Sequence, residues 1–377
     1  MFETLTHLQL QQYWWFIMSV VASALVFLLF VQGGQTLIGI LGKNEEERTM
    51  VINSIGRKWE FTFTTLVLFA AGMFASFPLF YATSFGGAYY VWKIFLACFV
   101  LQAISFEFRR KQGNMLGQKT YEAFLYINGF LGVFLLGVAV ATFFTGSEFY
   151  RSEYNLSYWQ TTLYGIEILF NPLNLALGIA LLFLARTLGA LYILNNVDKD
   201  IIQKRACRQV GLNAVVFLVF FLYFIIRILL KDGYAYHPET LEVFMEPNKY
   251  LNNYLQLPVA LIFFLAGVVL VLYGIGITWF KESRKGIWFS GSGTFLTVLS
   301  LFFVLGYNNT CFYPSSYDMQ SSLTIQNASS SHYTLTVMSY ISLFVPVVAA
   351  YIFYTWRAID KHKINDQDMK SGDHHIY

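Results

Sequence analysis

The chain has 377 residues, 56% of them hydrophobic and only 12% charged, with a mean hydropathy of +0.51. A soluble domain carries about 25% charge, so the composition excludes a water-soluble globular protein and indicates an integral membrane protein. A formal charge of +3 gives no indication of nucleic acid as a partner, and Cys98, Cys207 and Cys311 lack the spacing of a disulfide framework or a zinc site.

A membrane-spanning helix needs about 20 apolar residues. In chain order such runs occur at about 10–41, 59–84, 87–107, 121–146, 161–187, 208–230, 254–280, 286–307 and 333–357. The predicted fold is therefore all-α: a single integral membrane domain over 1–377 with about nine transmembrane helices. Helices satisfy their own backbone groups in lipid, and the alternating pattern of a membrane barrel is absent. No basic segment precedes the first apolar run, so residues 13–31 read as an uncleaved span rather than a signal peptide.

The connections sort by charge. The first holds Lys43, Arg48, Arg57 and Lys58; the third holds Arg109, Arg110, Lys111 and Lys119. The fifth, with its flanks, holds Arg186, Lys199, Lys204, Arg205 and Arg208; the seventh holds Lys281, Arg284 and Lys285. With Arg357, Lys361, Lys363 and Lys370 in the tail, these are 20 of the 25 basic residues. The even connections hold only Arg151, Lys231 and Lys249. Positive charge stays on the cytoplasmic side, so the N-terminus is expected outside and the C-terminus in the cytoplasm. An odd number of spans requires opposite ends, and the charges agree. Asn155, Asn308 and Asn327 match the N-glycosylation triplet, a pattern that arises often by chance.

Polar residues within the runs carry the functional signal. None of the six histidines (His7, His237, His332, His362, His374, His375) falls near the middle of a span. Bis-histidine haem ligation inside the chain is therefore not expected. Met73, Met115 and Met338 could ligate iron, but methionine more often fills packing gaps. Neither catalytic nor metal-ligating residues are assigned. Glu60, after Trp59, and Glu107 end the second and third runs on the side predicted to be cytoplasmic. Two readings stay open: pairing with Arg57, Lys58, Arg109 or Arg110 at headgroup level, or proton uptake from the cytoplasm. Gln32 and Gln35, three apart, share a helix face, and Gly33-Gly34 between them permits close helix approach. That face can hold water or bond between helices. Lys93 can snorkel outward or pair with Glu167, and Arg227 lies one turn from its span's outer end. Asn171-Pro172 breaks the fifth run, and Pro258 and Pro346 lie in the seventh and ninth.

Ordered stretches along the chain resemble a known family. They include Tyr13-Trp14-Trp15, Leu41-Gly42 with Asn44 to Arg48, Met50 to Ile55, Trp59-Glu60, Phe74 to Ala82 and Phe106-Glu107-Phe108-Arg109. Further on come Asn171-Pro172, Gly189-Ala190 with Tyr192, Lys204-Arg205-Ala206, Tyr313 to Ser316, Asn327 to Ser331, Thr334 to Met338, and Pro346 with Tyr351. Together they resemble subunit 2 of cytochrome bd-type quinol oxidases over some 340 residues. The resemblance implies a homologous, larger subunit 1 as partner, carrying two b haems and haem d. It also admits a small single-span accessory subunit and a structural quinone. The complex would oxidise a membrane quinol and reduce O2 to water in a bacterial inner membrane, with this chain alone not catalytic. In the family the acid after the Trp and two acids of a DGFD-like stretch are proposed to line a proton route. Glu60 retains the first, whereas Gln32 and Gln35 stand where the other two would be. Gln102 stands where the family often has Arg. The candidate proton-path residues are thus Trp59, Glu60, Glu107, Gln32 and Gln35. Two alternatives are a secondary transporter, which would show inverted repeats and a midplane site, and a purely structural scaffold.

Overall fold

The computed structural model describes residues 2–111 and 113–366. His374, His375 and Lys370 lie outside the described residues. Among the described residues, nine helices are long and apolar enough to cross a membrane. They are α1 (His7–Gln35), α2 (Glu45–Ser76), α3 (Tyr89–Phe108), α4 (Gln118–Thr145), α5 (Pro172–Asn196), α6 (Asp200–Leu229), α7 (Pro258–Lys281), α8 (Gly286–Gly306) and α9 (His332–Asp360). The ends of the chain lie at opposite ends of the bundle. His7 Nε2 is 3.0 Å from the Ser330 carbonyl, whereas Ile364 N donates to Asn196 O at 3.0 Å, beside the basic connections. The two faces are called here the opposite end and the basic end.

The fifth helix differs most from its expected span of 161–187. Residues 166–170 form a 3-10 turn, and the Asn171 side chain accepts from Leu173 N to cap a helix with Pro172 at its first position. Proline suits that position because its missing N–H has no intrahelical partner there. The helix then runs to Asn196, so Arg186 sits well inside α5 and is buried, not at the flank of the connection that follows.

Small residues set two helix crossings. A Cβ at Gly33 would lie 1.8 Å from Ala185 O, and one at Gly189 would lie 2.4 Å from Gly34 N. α1 and α5 thus meet backbone to backbone, as small residues permit in lipid. α7 and α8 do the same where Gly267 faces Gly293. α2 is interrupted at Arg57-Lys58, between the helical pieces Glu45–Gly56 and Trp59–Ser76. At the opposite end two hairpins cap the bundle: β1 (Phe149–Arg151) with β2 (Ser157–Trp159), and β3 (Gly233–Tyr236) with β4 (Val243–Glu246). The Asn308 amide bonds Asn253 Oδ1 at 2.7 Å and the Asn327 amide bonds Ser322 O at 3.0 Å, so two of the three triplet asparagines serve the local fold.

Candidate functional site

The α1–α5 crossing presses the Gln32–Gln35 turn into the bundle, where both side chains are fully buried. Each donates its amide N–H to the same atom, Gln102 Oε1 on α3, at 2.7 Å. Gln102 is also fully buried. Three amides cannot satisfy one another in this arrangement. Gln32 Oε1, Gln35 Oε1 and Gln102 Nε2 have no partner among the described residues. Exchanging oxygen and nitrogen throughout would only move the deficit to the complementary atoms.

A fourth buried amide, Asn128, lies on the neighbouring helix α4. Asn128 opens a π-helical turn, Asn128–Gly132, within α4. Such turns interrupt the regular bond ladder and often mark functional positions. A Cβ on Gly129 would lie 2.6 Å from Gln32 O and 3.2 Å from Gln35 Cβ, so α4 is pressed onto the glutamine turn. Neither polar atom of the Asn128 side chain has a partner. A buried polar group without a partner costs about 1–3 kcal/mol, and ordered water ordinarily supplies the missing bonds. The amide cluster therefore has the chemistry of a water-binding site that holds no formal charge.

An apolar cavity of about 360 Å³ lies in the bundle interior, walled by residues such as Leu25, Leu66, Trp92, Leu136, Leu181 and Phe221. Thr294 and Thr297 bring hydroxyls to its wall, and both return them to the backbone, at Ser290 O and Gly293 O. No imidazole, thiol or thioether lines it. Its walls therefore do not fit haem, which needs an axial donor. Among the described residues no three His, Cys, Asp or Glu gather as a metal site. Met73 is buried in an aromatic cluster with Trp15 and Phe77, and Met115 is 91% exposed.

At the basic end the expected pairings of Glu60 and Glu107 are not made. Lys58, fully buried, pairs with Asp360 of α9 at 3.0 Å. Tyr192 Oη and Asn196 Nδ2 also donate to Asp360 Oδ1, each at 3.2 Å. The Lys58 ammonium stands 4.8 Å from the Trp356 ring centroid. Arg109 pairs with Glu122 at 2.6 Å, and Arg110 bonds Thr49. Arg57 donates to His362 O at 3.0 Å. Glu107 pairs one turn away with Lys111, at 2.9 Å and well exposed. Glu60 is exposed and makes no hydrogen bond or ion pair with another described residue. Trp59 stacks on Phe106 with ring centroids 5.9 Å apart and planes inclined by 16°. That stack joins the start of the lower half of α2 to the end of α3 and sets Glu60 and Glu107 at similar depth.

Of the sequence candidates, the structure thus brings Gln32 and Gln35 together, and Trp59 near Glu107 through Phe106, but it does not join the two groups by any bond. Lys93 is exposed and lies 4.0 Å above its neighbour Tyr89 instead of pairing with Glu167. Glu167 accepts from Gly165 N at 2.9 Å, and Arg227 is exposed. Gln102, Asn128, Asp360 and Arg186 were not among the candidates. Arg186 donates to Asn213 Oδ1 at 2.7 Å and faces the Phe130 and Phe183 rings. For Gln102, Asn128 and Arg186 the signal was an isolated polar letter inside an apolar run; Asp360, beyond the ninth run, had none.

The profile described as cytochrome bd terminal oxidase subunit II matches residues 10–359. The chain is 27% identical to cytochrome bd-I ubiquinol oxidase subunit 2 of Escherichia coli (strain K12), covering 97% of both chains. It is 26% identical to cytochrome bd ubiquinol oxidase subunit 2 of Bacillus subtilis (strain 168), covering 93% of this chain and 96% of that one. Its fold is similar to a chain of the bd oxidase from Geobacillus thermodenitrificans, with a TM-score of 0.57 at 11% identity, covering 93% and 97% of the two chains.

Proposed function

The chain belongs to the cytochrome bd terminal oxidase subunit II family and is an integral inner-membrane subunit of an oxygen-reducing quinol oxidase; from that premise we propose that it is the haem-free member of the pair. Its companion is a homologous subunit 1 that carries the two b haems and haem d. This chain supports assembly and gives O2 and cytoplasmic protons access to that companion. Family membership favours this reading over a free-standing transporter.

The observation that carries the proposal is the apolar cavity. It is large enough for small molecules, its wall hydroxyls are already bonded, and it has no donor for iron. Apolar cavities stay dry and take apolar guests. Dioxygen is such a guest, and it concentrates in the membrane interior where this cavity lies. Val140→Phe tests the role, because Val140 lines the cavity and is only partly buried. The assembled oxidase should keep its haem spectrum while its bimolecular rate with O2 drops several-fold. An unchanged O2 rate in a correctly assembled variant removes the cavity from the route.

Proton access is the second role, supported by a specific feature. Glu60 is exposed at the basic end without a partner among the described residues, on α2 next to Trp59, which packs on α3. A carboxylate free of ion pairing can exchange protons with the cytoplasm and deliver them across the face that subunit 1 covers. The amide cluster of Gln32, Gln35, Gln102 and Asn128 adds bound water deeper in the bundle. Neutral amides orient water but neither release nor capture a proton, so the exchangeable group is Glu60.

A further inference from the structure

A second hollow, of about 970 Å³, opens between α1, α2, α8 and α9 at the basic end. Its length is apolar, with Phe27, Phe61, Phe295, Ile352 and Phe353 among its walls. Its mouth is not: Arg357, Lys361 and Lys363 gather there. Asp360, also at the mouth, is paired with Lys58 at 3.0 Å and also acts on Lys363, but one carboxylate among these cations leaves the mouth with a surplus of positive charge. Burial holds the Lys363 ammonium below the usual lysine range, and its recorded hydrogen bond is to a neutral group, Asn195 Oδ1, at 3.2 Å. The Trp356 indole N–H, in the wall, is buried and has no partner among the described residues.

From this juxtaposition of an apolar trough and a net-positive mouth we infer that the groove holds an anionic glycerophospholipid of the adjoining leaflet. The headgroup phosphate sits against Arg357, Lys361 and Lys363, and an acyl chain lies along the phenylalanine-lined trough. Charge complementarity selects this occupant. A basic pocket between helices at the membrane surface recognises an anionic headgroup, whereas a zwitterionic lipid brings no net charge to offset three cations. The apolar trough needs an acyl chain, which free phosphate lacks. The site is independent of the cavity and of the Glu60 role.

The test is native mass spectrometry of the detergent-solubilised, assembled oxidase, titrated with phosphatidylglycerol and, separately, phosphatidylethanolamine. The wild type should bind phosphatidylglycerol at least tenfold more tightly. Arg357→Gln/Lys361→Gln/Lys363→Gln should bring the preference within about twofold of unity. A control set at the same end but away from the groove, Lys204→Gln/Arg208→Gln/Lys281→Gln, should keep it. Should the triple groove variant not assemble, Ala349→Trp decides: this exposed position lines the groove, and filling it should displace the lipid with all charges retained. Three results overturn the assignment. They are no lipid preference in the wild type, as expected if the partner subunit or a quinone fills the groove; equal loss in the control set; or undiminished binding in Ala349→Trp.

Discussion

Gln32 on α1 and Gln102 on α3, 70 residues apart, share a 2.7 Å hydrogen bond in a fully buried setting. Gln35 uses the same acceptor atom, so Gln102 holds two turns of α1 against α3 through one oxygen. Gln102→Leu should strand two buried amide donors, each costing about 1–3 kcal/mol. The thermal unfolding midpoint of the assembled oxidase should fall markedly, and Gln102→Asn should fall less. A midpoint equal to wild type in the leucine variant would show that this bond contributes nothing.

The Lys58–Asp360 pair joins the break in α2 to the end of α9. Removing one partner of a buried pair leaves an uncompensated charge, at about 3–5 kcal/mol. Lys58→Met alone and Asp360→Leu alone should each destabilise by that order. The double variant should recover much of the loss, because no charge is then left unpaired. A double-mutant cycle by denaturation checks this, and strict additivity would argue against coupling.

The helix crossing at Gly33 and Gly189 leaves no room for a side chain. Gly189→Val should prevent assembly, since the contact is with backbone and cannot be relieved by a rotamer change. Gly276 is the internal control, because a Cβ there meets nothing within 4 Å. Gly276→Ala should give wild-type yield of the complex.

Much of this architecture is legible in the sequence because length and apolarity alone define a span. Nine helices of that length and apolarity are present among the described residues, although residues 161–171 of the fifth run lie outside α5. Asn171-Pro172 was visible as a break, yet it marks where α5 begins, and that shift moves Arg186 from the end of the run into the interior of the helix. The shared face of Gln32 and Gln35 follows from helical spacing. Their partner does not, because periodicity within one helix carries no information about which residue of another helix it meets. The same limit hides Asp360. Lys58 lies two residues from Glu60 in sequence, but the interruption of α2 buries Lys58 and leaves Glu60 exposed.

Lys199 gives a pH dependence of known sign. Partial burial alone would lower its pKa, but Asp366 at 2.8 Å, with Glu46 and Glu47 nearby, raises it above the ordinary lysine range. A raised folded-state pKa contributes stability that is complete below the unfolded value, about 10.4, and is lost as pH rises through the folded value. The stability deficit of Lys199→Gln relative to wild type should therefore be constant from pH 6 to 9 (roughly, given that reference value) and shrink only in strongly alkaline buffer. A deficit that disappears near neutrality would contradict the pairing.

Glu60→Gln should lower quinol-oxidase turnover by roughly tenfold, less than the 10²–10⁴ of a direct acid–base group, with haem content unchanged. Glu107→Gln should lower it less, because Glu107 is engaged with Lys111. Full turnover in Glu60→Gln would reduce the carboxylate to a surface charge.

The division of labour between the two subunits is tested most directly by an optical spectrum with a quinol-oxidase assay. These are applied to this chain purified alone and to the chain copurified with subunit 1. Haem absorption and O2 consumption are expected in the pair and in neither form of assay for the single chain. A haem spectrum from the isolated polypeptide, or turnover without its companion, would contradict the account.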